Sequence, residues 1–404
     1  TLRLVERELP PDTTFPVVSF AWEADDPEGA ESLDRVEISL NDSTSFTPLA
    51  PEIDFVTFVA SEIDRSSAAT ATTTAEVYAG ESFQNTGKTV PGLRLNGDNT
   101  LYVRSVDQTD TTSTLVRYPS RPQDAWYVRK PQSRVLFVND FRTSTASNMQ
   151  AYHLPILNDY LPANSRADVW DLSYPTGDTR SALLPSAAEP TLRRTLALWD
   201  YIYWMTKDAT STIGEKNLPL AAGVMDLFFE QGGRLFVNVP ANLVTATYEQ
   251  QNPAVTLLPA AEVFPTDVDS LKPGSPGEGQ RPRLTLPRDA RVEPVRTVPG
   301  VGEKLPALQA RLPTKDVYPY KVGSNTISLY AGNFRYENSN GNERPWPGPS
   351  TLASISQDRR VALLALPLID AGFGTRNFEG VGGNEGAPKQ AVRMMLRGLT
   401  FPNE

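Results

Sequence analysis

Cysteine is absent from this 404-residue chain, and histidine occurs once, at position 153. Without a thiol there are no disulfides, no thiolate nucleophile and no Cys-ligated zinc or iron–sulfur centre. With one imidazole, and no G-x-S-x-G elbow to present a serine to it, a Ser-His-Asp site has no sequence signature either. No run approaches 18 consecutive apolar residues, so the sequence predicts no membrane-spanning helix. The chain begins at Thr1 rather than Met, which leaves open a leader or lipid anchor upstream.

Acidity is present, in one place. The formal charge is −10, and residues 1–132 hold 11 Lys+Arg against 21 Asp+Glu, so the remaining 27 basic and 27 acidic residues cancel. A face of that sign repels phosphate backbones, and no basic stripe interleaved with aromatics occurs elsewhere. Nucleic acid is therefore not an expected partner.

The first third alternates with period two. FPVVSFAWEADD sets Val17, Ser19 and Ala21 on one face and Val18, Phe20 and Trp22 on the other, and stops at a D-D-P-E-G turn. LDRVEISLND repeats the pattern with Val36, Ile38 and Leu40 inward, and IDFVTFVA and LRLNGDNTLYVRSVDQ follow. Short strands at this spacing predict a β-sandwich. Trp22, the D-D-P-E-G turn, V-E-I-S-L and T-L-Y-V-R-S-V-D resemble a fibronectin type III domain of the kind found at the N-terminus of bacterial surface and lipid-anchored proteins, over residues 12–130. The resemblance implies a tyrosine corner built on Leu95 and Tyr102.

After WYVRKPQSR the pattern becomes strand, helix, strand. VLFVN, ADVWDL and DYIYWMT are short apolar runs. NLPLAAGVMDLFFEQGG carries Leu220, Val224, Leu227 and Phe228 at helical spacing, and RLFVNV follows. Alternation of this kind predicts a parallel, doubly wound sheet. Residues 258–320 are dense in Pro and Gly without a sustained period, and read as a long insertion holding at most a short β-ribbon rather than as a domain. APKQAVRMMLRG closes the chain as an amphipathic helix burying Val392, Met395 and Leu396. V-L-F-V-N-D, L-W-D-Y-I-Y-W, F-F-E-Q-G-G-R-L-F-V and R-V-A-L-L-A-L-P-L resemble the class I glutamine amidotransferase-like superfamily, including its trehalose-utilisation-type relatives. That likeness implies a flavodoxin-like three-layer α/β domain over residues 133–404, but the cysteine and late histidine of its hydrolytic members are missing. Thiol-dependent amide transfer is excluded, and no catalytic residue carries over.

Ligands of parallel sheets sit outside the carboxyl ends of the strands, which nominates Asn139, Asp140, Arg142, Thr143 and Ser144 after the first strand. Asp171, Lys207 and Asp208 end neighbouring strands at the same rim. Amide and acidic residues are also ordinary choices for turns and caps. His153 lies two residues before Pro155, where a helix kinks or restarts, and reads as a surface or hydrogen-bonded side chain rather than a base. Asp25, Asp26 and Glu28 are hard oxygen ligands without EF-hand spacing, and read as a solvated turn before a calcium site. FEGVGGNEGAPKQ fits neither phosphate-loop pattern and reads as a mobile loop. Trp199, Tyr201, Tyr203 and Trp204 are the residue types that stack sugars, but on a covered strand they read as core.

Together these features predict two domains: a fibronectin III-like sandwich over 1–132 and an α/β domain over 133–404 carrying the insertion at about 258–320. The expected role is non-catalytic binding or assembly, without a cofactor, at the outer face of a bacterial envelope, with another envelope or extracellular protein as partner. The alternative is a hydrolase acting on carbohydrate or peptide through the acidic rim.

Overall fold

The computed structural model describes residues 1–121, 123–124, 126–141, 146–172, 188–206, 217–239, 284–315, 317, 319–337, 343–346, 348, 350–370 and 372–402. The chain divides into two compact units. One comprises residues 1–134, 175–198 and 224–228, and the other residues 135–174, 199–223 and 229–404.

Unit 1 contains β1 (Leu2–Leu4), β2 (Thr13–Thr14), β3 (Val17–Ala24), β4 (Leu33–Leu40), β5 (Thr47–Leu49), β6 (Phe55–Ala60), β7 (Ala71–Ala79), β8 (Gln84–Leu95), β9 (Gly97–Asn99), β10 (Leu101–Asp107), β11 (Val116–Tyr118) and β12 (Trp126–Val128). An antiparallel sheet in the order β1-β3-β6-β7-β8 and another in the order β11-β10-β4-β5 share one core. Val18, Phe20 and Trp22 enter that core from β3, and Val36, Ile38 and Leu40 from β4. The pattern is compatible with an immunoglobulin-like sandwich: period-two strands bury alternate residues against a facing sheet. Between the sheets, Phe20 meets Tyr118 and Trp126 edge to face at 5.3 and 5.4 Å. The tyrosine that ties back to backbone is Tyr118, whose hydroxyl donates to the Pro10 carbonyl at 2.8 Å. Tyr102, expected in that role, is half-buried on β10.

Unit 2 departs from the doubly wound expectation. Its main sheet has ten strands in the order β14-β13-β15-β16-β25-β24-β21-β18-β19-β26. These are β13 (Val135–Asp140), β14 (Asp168–Asp171), β15 (Tyr201–Thr206), β16 (Arg234–Asn238), β18 (Arg291–Pro294), β19 (Leu308–Ala310), β21 (Thr326–Gly332), β24 (Thr351–Ser356), β25 (Val361–Leu364) and β26 (Phe378–Gly380). Neighbours from β14 to β25 run parallel, and every pair from β25 to β26 is antiparallel. A second antiparallel sheet joins β17 (Leu284–Leu286), β20 (Thr314–Lys315), β22 (Arg335–Glu337) and β23 (Glu343–Pro345).

The described helices are few and short: α1 (Ala146–Asn158), α2 (Arg193–Leu196), α3 (Asn217–Gly223), α4 (Asp226–Glu230) and α5 (Ala387–Gly398). A doubly wound domain needs a crossover helix after nearly every strand. Here strand far outweighs helix, and the three-layer amidotransferase-like α/β fold read from the sequence is not what forms. The physical reason lies in the Pro- and Gly-rich stretch. Its part before Leu284 falls outside the described residues, but LTL, RVEP and LQA pair as β17, β18 and β19, with Leu284, Leu286, Val292 and Leu308 buried. Segments too short to show a period are held by antiparallel neighbours distant in sequence.

Two local expectations also change. The run predicted as one helix from Asn217 breaks into α3 and α4, with Val224 and Met225 buried at the break and Leu220 exposed. Pro155 does not restart α1, which continues through it to Asn158, with the Asp159 amide donating to the Pro155 carbonyl at 2.9 Å. The glycine-rich stretch before α5 is a hydrogen-bonded turn in which the Gly380 amide donates to the Asn384 carbonyl at 2.7 Å and the Gly383 amide to the Gly380 carbonyl at 2.9 Å.

Candidate functional site

The carboxyl end of β13 is where buried polar groups gather. All six residues of VLFVND are buried on this inner strand, so Asn139 and Asp140 leave water together with Val135–Val138 and need partners. Alternation sends their side chains to opposite faces of the sheet. Asn139 turns to α1, where its Nδ2 donates to Gln150 Oε1 at 3.0 Å. Its carbonyl accepts from the Leu172 amide at 2.8 Å, which fixes the end of β14.

Asp140 turns the other way. Its Oδ1 accepts from Asn217 Nδ2 at 2.7 Å and its Oδ2 from Trp204 Nε1 at 3.2 Å, while its carbonyl accepts from Thr206 Oγ1 at 3.3 Å. At 4% exposure the carboxylate accepts from donors on β15 and in the first turn of α3. This arrangement anchors the start of α3 to the sheet. Asp168, at the opposite end of β14, repeats the device with Trp199 Nε1 at 2.8 Å.

Of the residues nominated from sequence, the structure places Asn139, Asp140 and Asp171 at one rim, with Asn139 and Asp171 in register across β13 and β14. Asp171 is exposed. Arg142, Thr143, Ser144, Lys207 and Asp208 lie outside the described residues. Asp26 Oδ1 accepts from the Glu28 amide at 2.9 Å, the bond of a short polar turn. Among the described residues no three His, Asp or Glu side chains, Asp25, Asp26 and Glu28 included, stand as a metal-ligand group.

His153 is not on the surface. It is fully buried on the sheet-facing side of α1, with Nδ1 2.7 Å from the Tyr203 hydroxyl and Nε2 without a hydrogen-bond partner. Burial pushes its pKa down to about 3, so the ring is neutral at physiological pH. The same burial carries the Tyr203 hydroxyl well above its ordinary value and Tyr152 up to about 12. An imidazole this reluctant to take a proton is a poor general base. Of the aromatic cluster, Trp199, Tyr203 and Trp204 are buried and Tyr201 is half-buried against Phe401, which makes them core.

Sequence reasoning missed three residues of this region: Asn217, Trp204 as a donor to Asp140, and Asn238. Asn238 ends β16, fully buried, with Nδ2 donating to the Leu364 and Leu366 carbonyls at 2.9 and 3.2 Å and Oδ1 unpartnered. The available signal was an amide as the last residue of an apolar run, in RLFVN as in VLFVN. No protein-family model matches the sequence, and no curated protein matches it.

Proposed function

We propose that this chain is a non-catalytic binding or assembly protein of a bacterial envelope, working through its surface rather than through a reactive centre. The observation that carries the reading is the state of Asp140: both carboxylate oxygens accept hydrogen bonds from internal donors, Asn217 and Trp204, in a buried setting. A carboxylate that activates water needs an oxygen open to it, and a carboxylate that anchors a helix does not. The sealed His153 supports the same reading.

The envelope location rests on the likeness of the N-terminal region to fibronectin III-like domains of surface proteins. Two antiparallel sheets around one core in unit 1 are compatible with it. Among the described residues no helix is long and apolar enough to cross a membrane. Partner proteins are then met at the acidic N-terminal third, with a basic or polar surface as the complement.

The test has two parts. Purified protein is assayed against ester, amide and glycoside reporters, where no turnover above a heat-treated control is expected. Turnover abolished by Asp140→Asn in a variant that still folds overturns the reading in favour of a hydrolase. Fractionation of the native host then places the chain: recovery in the envelope or medium is expected, and recovery only with cytosolic markers removes the location.

A further inference from the structure

The one histidine of the chain occupies a position with no catalytic use and a specific physical consequence. α1 packs on the face of the β13–β15 sheet through Met149, His153, Ile156 and Leu157, all buried. Three of these contacts are apolar and insensitive to pH. The fourth is an imidazole bonded at 2.7 Å to Tyr203 on β15, with its second nitrogen facing no partner.

Protonation reverses the requirements of that pair. In the neutral ring the Tyr203 hydroxyl donates to Nδ1, one N–H remains on Nε2, and one buried donor goes unsatisfied. In the imidazolium both nitrogens donate, so the Tyr203 oxygen must accept and its own hydrogen must find another acceptor, while Nε2–H still has none. A full charge is then added inside an apolar layer.

Among the described residues, the imidazole's ring contacts are aromatic and its one hydrogen bond is to Tyr203. α1 contributes Tyr152, whose ring meets the imidazole edge to face at 5.2 Å, and β15 contributes Tyr203. β13 contributes Phe137, packed on Tyr203. From α5 come Lys389, lying over the Tyr152 ring at 5.8 Å, and Arg393, paired with Asp159 at 3.2 Å. Arg376, paired with Glu385, adds a positive charge whose field reaches Tyr152. The carboxylates of Asp159 and Glu385 are already bound to arginine.

We propose that His153 is an acid-sensitive lock on α1: neutral, it holds the helix against the sheet, and protonated, it releases it. The inference is independent of the binding role argued above. The direction follows from the depressed proton affinity of the folded state. A group of this kind contributes stability that is fully present above its unfolded value of 6.5 and is lost progressively as pH falls towards its folded value of about 3.

Because His153 is the only histidine, its ring gives a single imidazole signal in the NMR spectrum of uniformly labelled full-length protein. Hydrogen exchange of the Ala146–Asn158 segment is followed in parallel, corrected for the intrinsic pH dependence of exchange. The imidazole is expected not to titrate between pH 7.5 and 5.5. Opening of α1 should rise about tenfold per unit of acidification below about pH 6.5, ahead of the β4 and β10 amides of unit 1. In His153→Phe and His153→Gln that slope should vanish. An imidazole that titrates near 6.5 while α1 stays protected overturns the lock, as does an unchanged slope in a folded variant or loss of α1 protection only in step with unit 1. The imidazole titration requires no substitution, so it decides the matter even where both variants fail to fold.

Discussion

A β-carbon added to Gly92 would stand 2.7 Å from the carbonyl oxygen of Leu40. Gly92 sits in β8 at φ +98°, beside a register shift against β7, and its own carbonyl accepts from Asn41 Nδ2 at 2.7 Å. Both the backbone conformation and the close approach require glycine there. Gly92→Ala is expected to destabilise unit 1 by about 3 kcal/mol. Gly87→Ala, at φ +68° with nothing within 4 Å of the added carbon, should cost only about 1 kcal/mol. Urea titrations of the two variants separate conformation from collision, and equal losses would refute the steric account.

Asn99 completes the same corner. Its Oδ1 accepts from the Arg94 amide at 2.8 Å and from Asn41 Nδ2 at 2.9 Å, and its Nδ2 donates to the Arg94 and Gly97 carbonyls at 2.8 and 2.9 Å. A buried amide with every polar position used holds the β8–β9 turn more firmly than its size suggests. Asn99→Ala should lower stability by roughly 2–4 kcal/mol, and Asn99→Asp by at least as much, because the donors to two carbonyls are replaced by a charge. A midpoint within experimental error of the wild type for either variant would count against this network.

How much of this was legible in the sequence depends on distance along the chain. Four stretches of unit 1 are legible because apolar residues alternate in them, as Val18, Phe20 and Trp22 do, whereas the three-residue strands β1, β5, β11 and β12 carry no such pattern. β13, β15 and β16 were visible as short apolar runs. The sheet that joins them was misjudged because β18 and β19 are held by pairing to β21 and β26 rather than by a pattern of their own. The rim after β13 could be located from the strand end alone. The occupation of Asp140 by Asn217, 77 residues away, could not be, since no local spacing records a tertiary donor. His153 is hydrogen-bonded, one of the two states its sequence allowed, but its burial is not legible for a related reason: one histidine between Tyr152 and Leu154 carries no sign of which face of α1 meets the sheet.

Glu37 offers a second pH signature, in unit 1. Burial alone would raise its pKa, but hydrogen bonds from Arg35 at 2.8 Å and Arg104 at 2.7 Å outweigh that and hold it below the ordinary value of 4.5. A depressed carboxyl contributes stability that is present above the unfolded value and is lost as pH falls through the lower folded one. Glu37→Gln should therefore be less stable than the wild type at pH 7 and converge on it below about pH 4.5, and 1 M salt should narrow the gap at neutral pH. Parallel stability curves for the two proteins from pH 7 to 3 would show that the charge is not what Arg35 and Arg104 recognise.

The last prediction concerns Asp140 and Asn217. If the carboxylate is an anchor for α3, its contribution is to stability and is shared with its donor. Asp140→Asn puts an amide where two donors, Asn217 Nδ2 and Trp204 Nε1, converge, so one of them loses its acceptor. Asn217→Ala removes the shorter bond at 2.7 Å and leaves the charge buried with less support. Each change should cost about 2–3 kcal/mol, and the double variant should cost less than the sum by at least about 1 kcal/mol, since the second change has no bond left to break. Local opening of α3, read by hydrogen exchange of Asn217–Gly223, should rise in both single variants. Additivity within about 0.5 kcal/mol would show that the two side chains do not depend on each other. Additivity combined with a reporter turnover lost in Asp140→Asn would move the carboxylate from anchor to catalyst.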